Sequence, residues 1–109
     1  MKYPKVLMLG LSYKKNIDDI RNSPAIQIFS NLKDKIRLSF NDKFVKILKI
    51  GKRQISSKKI KDFSSVKLYD AVILATDHDY FDYKKILKYS ALIIDLRNKF
   101  LRSKKVIKL

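Results

Sequence analysis

The residues from Gly10 to Ala25, GLSYKKNIDDIRNSPA, decide the fold, because they lead from a buried strand into a helix through a long charged loop. The apolar run Val6-Leu7-Met8-Leu9 ends at Gly10, where the missing Cβ lets backbone or ligand come close. Ser23-Pro24 then predicts a helix start, with a capping hydroxyl followed by proline at the first helical position. The intervening segment, Leu11 to Asn22, carries Lys14, Lys15 and Arg21 beside Asp18 and Asp19. Open α/β sheets bind ligands outside the carboxyl ends of their strands, which makes this loop the candidate site.

Outward from that stretch, Lys5 to Leu9 reads as a buried strand of a parallel sheet, and Ala25, Ile28, Phe29 and Leu32 form one helical stripe. Ile36, Leu38 and Phe40 alternate with polar residues as a second strand does. The pattern Phe44, Val45, Ile47, Leu48 predicts a short helix stopped by Gly51, and Gln54-Ile55-Ser56 a short third strand. One or two helical turns are expected in the lysine-rich segment from Ser57 to Ser65. Ala71 to Ala75 is a fourth, fully buried strand, and Asp82 caps a helix carrying Tyr83, Ile86 and Leu87. Ala91 to Ile94 is the fifth strand, and Val106-Ile107 a short edge strand beyond a loop from Leu96 to Lys105. Strands alternating with helices require crossovers, hence parallel pairing. The expected fold is α/β: a Rossmann-like three-layer αβα domain spanning residues 1–109, with a mostly parallel sheet of five or six strands. The expected strand order of 3-2-1-4-5 puts the loops after Gly10 and Thr76 on either side of the ligand crevice.

Composition agrees with one folded domain. A chain of 109 residues that is 46% hydrophobic, with two glycines and two prolines, can bury a core of its own. No window approaches the apolar length of a membrane span, and Met1 to Pro4 runs into a strand without the apolar region of a signal peptide, so a cytoplasmic location is expected. Zero cysteines excludes disulfides, cysteine-based zinc sites and a thiol nucleophile within this chain. The net charge of +16 raises the question of nucleic acid. Only five of the 26 basic residues are arginine, and the lysines are scattered, which reads as a solvated lysine-rich surface. A basic nucleic-acid-binding module and a protein-docking module remain the alternative readings of the same fold.

The stretch resembles the signature of the C-terminal, UDP-binding domain of the UDP-glucose/GDP-mannose dehydrogenase family: Gly-Leu-small-aromatic-Lys, then Asp-Asp-x-Arg-x-Ser-Pro-Ala. The matching residues are Gly10, Leu11, Ser12, Tyr13, Lys14, Asp18, Asp19, Arg21, Ser23, Pro24 and Ala25. Lys15 stands where members usually have proline, and Asn22 where they usually have glutamate. Two later blocks, ATDHDYFDY from Ala75 to Tyr83 and IIDLRNKF from Ile93 to Phe100, match in the right order. The first of these most resembles the branch acting on UDP-N-acetylhexosamines. The Asp-Pro turn that ends the family's second strand is replaced here by Asn41-Asp42-Lys43, which keeps the aspartate.

The resemblance implies a domain that binds the UDP half of a nucleotide sugar, in an enzyme that oxidises the sugar's C6 alcohol to the uronic acid with NAD. It implies Tyr13, Lys14 and Arg97 as the UDP-sugar-binding residues, with Asp19 and Arg21 bracing the loop. The residues themselves fit those roles: a lysine is a point charge for phosphate, an arginine fork bridges two oxygens, and a tyrosine gives an aromatic wall. Ion pairing of Arg97 with Asp95 or Asp77 is the structural alternative. Gly10 stands alone where a dinucleotide domain has G-x-G-x-x-G, so no NAD is expected to bind this domain. No catalytic residue and no metal site is expected, and the chain is not catalytic alone. Its implied partners are the UDP-sugar and the missing NAD-binding and central domains, supplied in trans if not by the same polypeptide; no membrane partner is expected. His78, the single histidine, lies between Asp77 and Asp79, where a loop or capping role is expected rather than acid-base work.

Overall fold

The computed structural model describes residues 3–108. Five strands form one parallel sheet: β1 (Lys5–Leu9), β2 (Arg37–Asn41), β5 (Ala71–Leu74), β6 (Ile93–Asp95) and β7 (Val106–Lys108). The order is β2-β1-β5-β6-β7, every pair parallel. Helix α1 (Pro24–Leu32) connects β1 to β2, and α2 (Tyr83–Tyr89) connects β5 to β6. The chain leaves β1 in one direction and returns on its other side at β5, so the topological switch point lies between those two strands.

Alternation along β1 builds the two faces. Val6 and Met8 point into a core shared with Ala25 and Phe29 of α1, while Leu7 and Leu9 point into a second core with Ile86 of α2 and Phe63 and Val66 of a 3-10 helix (Phe63–Leu68). Three layers result, with the central strands buried on both sides. The cap of α2 is Asp82, whose carboxylate accepts from the Lys85 N–H. Ser23 departs from expectation: it sits at the start of α1, yet its hydroxyl donates to the Leu11 carbonyl at 2.7 Å and caps nothing.

The region after β2 also departs from the sequence reading. Ile47–Ile50 is a strand, β3, and it pairs antiparallel with β4 (Arg53–Ser56) as a separate hairpin rather than forming a helix. Gly51 is therefore a turn residue, with φ +58, and not a helix cap. The expected third strand is present but outside the main sheet, which changes the order from 3-2-1-4-5 to one with β2 at the edge and β7 taking the opposite edge. The two-residue Gly51-Lys52 turn lets both strands of the hairpin form locally, and Leu48, with Ile50 and Ile55, anchors it on the α1 face of the sheet. Helical turns occur at Phe63–Leu68 rather than from Ser57, because Asp62 supplies the cap by accepting from the Ser64 N–H. The fifth strand of the sequence reading begins at Ile93, two residues later than expected. Among the described residues no helix is long and apolar enough to cross a membrane.

Candidate functional site

The loops that leave the carboxyl ends of β1, β2, β5 and β6 meet on one edge of the sheet. Gly10 sets their spacing: with φ +91, a Cβ built there would lie 2.4 Å from the Thr76 Cβ and 2.8 Å from the Thr76 backbone. Only glycine allows β1 and β5 to release their loops this closely. The Thr76 hydroxyl then donates to the Ser12 carbonyl at 2.7 Å, tying the two loops together.

The centre of this edge is a buried pair that the sequence reading did not single out as a pair. Asp42 and His78 are both fully buried, with His78 Nε2 at 2.9 Å from Asp42 Oδ2. Asp42 also accepts from the backbone N–H groups of Leu11 (2.8 Å), Ser12 (3.2 Å), Phe44 (2.9 Å) and Val45 (3.2 Å). Burial pushes its carboxyl up, but the hydrogen bonds from His78 and the Leu11 N–H outweigh that and hold it below its ordinary value. On the other side of the ring, Nδ1 accepts from the Asn16 N–H at 2.7 Å, which places the ring proton on Nε2, facing Asp42. Both ring nitrogens are thus spent on holding loops, and the ring packs against Tyr80 (centroids 5.6 Å apart, 23° between planes) and Phe44 (4.9 Å). His78 is a structural post. Asn16, with φ +63, adds a reciprocal pair with Asp79: its side-chain N–H donates to Asp79 Oδ2 at 2.7 Å and its Oδ1 accepts from the Asp79 N–H at 3.1 Å.

The sequence-predicted residues fall on the rim of this framework. Tyr13 and Arg97 lie together, lining a cleft of about 130 Å3 with Ser12, Ala25, Ala75 and Leu96. Arg97 donates from Nε to the Ala75 carbonyl at 3.0 Å and from Nη2 to the Tyr13 carbonyl at 2.8 Å. It therefore staples the loop after β1 to the end of β5. Its Nε is 3.8 Å from Asp77 Oδ1, and its backbone N–H donates to Asp95. Asp95 is buried and also accepts from the Phe100 N–H, fixing the turn that presents Arg97. Lys14 does not line the cleft. It is exposed, with Nζ 5.9 Å from the Tyr13 ring centroid, on the same loop. Asp19 and Arg21 form a forked ion pair, Nε to Oδ1 at 3.1 Å and Nη2 to Oδ2 at 3.0 Å, which holds the Asp19 carboxyl down at about 2. The Tyr13 N–H donates to the Asp19 carbonyl at 2.7 Å and closes the loop on itself. Among the described residues no group of His, Cys, Asp or Glu side chains could hold a metal ion.

A second, larger crevice of about 520 Å3 opens at the carboxyl end of β2, between the hairpin and the segment from Ser56 to Ile60. It contains none of Tyr13, Lys14 and Arg97.

A parallel sheet with its ligand-side loops converging at a switch point defines a Rossmann-like nucleotide-binding domain. The sequence matches the UDP binding domain of the UDP-glucose/GDP-mannose dehydrogenase family over residues 7–102. The chain belongs to that family. It is 34% identical to a UDP-glucose 6-dehydrogenase of Rickettsia prowazekii, the match covering 90% of this chain and 24% of the relative. Among solved structures it superposes on a UDP-D-ManNAc dehydrogenase of Pyrococcus horikoshii with a TM-score of 0.73 at 25% identity, covering 98% of this chain and 25% of that one. A UDP-N-acetyl-mannosamine dehydrogenase of Staphylococcus aureus superposes with a TM-score of 0.66 at 28% identity, over 96% and 25% of the two chains. The chain thus spans about a quarter of the length of the relatives it matches.

Proposed function

We propose that this chain supplies the UDP-sugar-binding portion of a nucleotide-sugar 6-dehydrogenase, and that Tyr13, Lys14 and Arg97 form its ligand face. The observation that carries the proposal is Arg97. Two of its N–H groups are spent on backbone carbonyls, which fixes the guanidinium at the mouth of the cleft with the rest of its fork left for phosphate oxygens. Tyr13 gives one wall, and Lys14 adds a charge that follows the phosphates without a fixed geometry. Asp19 and Arg21 pair with each other, which favours their loop-bracing role over ligand contact.

The cleft's volume of about 130 Å3 is well below the several hundred Å3 of an ordinary small-molecule site. A half-site is what a quarter of a dehydrogenase should present, with the remaining walls, the nicotinamide cofactor NAD and the reacting groups lying on other domains, in the same polypeptide or in trans. Within this chain there is no cysteine to form a thiohemiacetal, and Gly10 alone cannot make the glycine turn that cradles a dinucleotide pyrophosphate. The oxidation therefore belongs to the assembled enzyme, whose substrate and product are cytoplasmic metabolites in this reading.

Titration of UDP and UDP-N-acetylglucosamine followed by heteronuclear NMR tests the proposal. Shifts are expected in residues 10–22 and 96–98, with a dissociation constant toward the weaker end of the range from ~1 μM to ~1 mM. Lys14→Ala and Arg97→Ala should each abolish the UDP-induced shifts in these loops while the spectrum stays folded. No shift in these loops at millimolar UDP would overturn it.

A further inference from the structure

The crevice at the carboxyl end of β2 is outside the proposed UDP face, and its chemistry is distinct. It is lined by Lys43, Lys46, Lys58 and Lys59, all exposed at their rims, with Ile47, Ile60 and the Tyr80 ring. Among the described residues none of these lysines forms an ion pair. The one acid in the lining, Asp42, is buried and saturated by His78 and four backbone donors, so it does not neutralise them. Of the other polar groups of the lining, Asn41 donates to the Lys58 carbonyl and accepts from the Tyr80 hydroxyl, and the Ser57 hydroxyl accepts from the Asp42 N–H, while Ser56 is exposed. What remains available is ammonium charge, with the Ser56 hydroxyl, over a partly apolar floor. At about 520 Å3 the crevice falls within the ordinary range of small-molecule sites.

We propose that this crevice is a second anion site, which takes a phosphorylated small molecule with a flat apolar part, of the class of a nucleoside diphosphate. Its phosphates lie among the four lysines, and its ring lies against Ile47 and Ile60. The Tyr80 ring is not the stacking partner, because His78 covers one face and the Lys43 Nζ stands 5.0 Å from its centroid. The concavity favours a small ligand over a nucleic-acid strand, which tracks an open groove with stacking aromatic side chains. The floor of this crevice and the loop after β1 share Asp42, so occupancy here bears on the residue that positions Leu11 and Ser12.

The test uses the same chain with ADP and with inorganic pyrophosphate as probes, again followed by NMR. Shifts are expected at residues 41–47 and 56–60, with ADP binding tighter than pyrophosphate because only ADP engages the isoleucines. The exposed double variant K46E/K58E should weaken ADP by about tenfold or more, while UDP-induced shifts at residues 10–22 stay as in the parent chain. That second readout separates the two sites: loss of UDP binding at the Tyr13 face alone leaves this proposal standing. It is overturned if ADP shifts are scattered over lysines around the whole surface, or if the double variant binds ADP within about twofold of the parent. It is also overturned if single-stranded DNA occupies the same residues more tightly than ADP with a steep loss in salt, which would make the crevice part of a nucleic-acid surface.

Discussion

The loop after β1 and the hairpin after β2 leave the same edge of the sheet, yet they are held to it by different forces. The loop is tied by polar bonds to distant parts of the chain: Leu11 and Ser12 to Asp42, Asn16 to His78, Ser12 to Thr76, and Tyr13 to Arg97. The strands of the hairpin are tied to each other by their own ladder and to the sheet by apolar contact through Leu48, Ile50 and Ile55, with polar bonds to β2 and Asp42 only at the flanks, from Phe44 and Val45 on one side and Ser57 and Lys58 on the other. Polar anchoring in a buried setting fixes position and direction, since each partner must sit at hydrogen-bond distance or leave a group unsatisfied. Apolar anchoring fixes only proximity. The loop therefore suits a ligand face that must present Tyr13 and Lys14 in one place, whereas the hairpin is bonded to the sheet at its two flanks and its strands between them are held by apolar contact.

The comparison is most severely tested at Gly10. Gly10→Ala places a Cβ 2.4 Å from the Thr76 Cβ and 2.8 Å from its backbone, on a residue with φ +91. Neither neighbour can retreat without moving β5. The expected loss is about 3 to 5 kcal/mol in urea unfolding, from backbone strain and overpacking together. A loss under about 1 kcal/mol would show that the loop is not clamped where β1 and β5 release it.

Asp42→Asn tests the polar anchoring itself. Asn offers one acceptor oxygen where Asp42 uses two, so either the Leu11 and Ser12 side or the Phe44 and Val45 side loses its partner. A loss of about 2 to 3 kcal/mol is expected at neutral pH. The native Asp42 carboxyl titrates below its unfolded value of 3.8, so its contribution is complete above that pH and fades as the pH falls through the lower folded value. The gap between parent and variant should therefore narrow below about pH 4, and a gap independent of pH would remove Asp42 from this role. Asp19 and Asp62 are also held down, at about 2, but Asp62 is exposed, Asp19 is half-buried, and both are ion-paired where solvent reaches them, so salt should screen their share of the acid limb.

The same division explains what could be read from the sequence. β1, α1, β5 and α2 were legible because their signals are local: apolar runs ended by Gly10, a proline at the first turn, and Asp82 three residues before the N–H it caps. The hairpin was misread because Phe44, Val45, Ile47 and Leu48 fit a helical spacing as well as they fit a bend followed by a strand. The Gly51-Lys52 pair is a local signal that favoured the hairpin, since glycine in the first position of a two-residue turn suits its positive φ. Tyr13 and Arg97 were singled out through family resemblance, and the structure does bring them together, but it keeps Lys14 out of the cleft. Asp42 and His78 had no local signal as a pair. They are 36 positions apart, and only the closure of the sheet makes them neighbours.

The smallest expected effect sharpens the contrast most. Gly51 and Gly10 both have positive φ, +58 and +91, but a Cβ on Gly51 meets nothing within 4 Å. Gly51→Ala therefore isolates the cost of backbone strain without a clash, expected at about 1 kcal/mol. Gly51→Asn should cost less than half of that, because asparagine visits the left-handed region readily, as Asn16, Asn22 and Asn98 do in this chain. Gly10 should show no such rescue, since Asn carries the same Cβ into Thr76. Amide exchange gives the local readout: Gly51→Ala should speed exchange in β3 and β4 and leave β1 and residues 10–22 protected. If β1 loses protection together with the hairpin, the two regions open as one unit, and the distinction between polar and apolar anchoring fails.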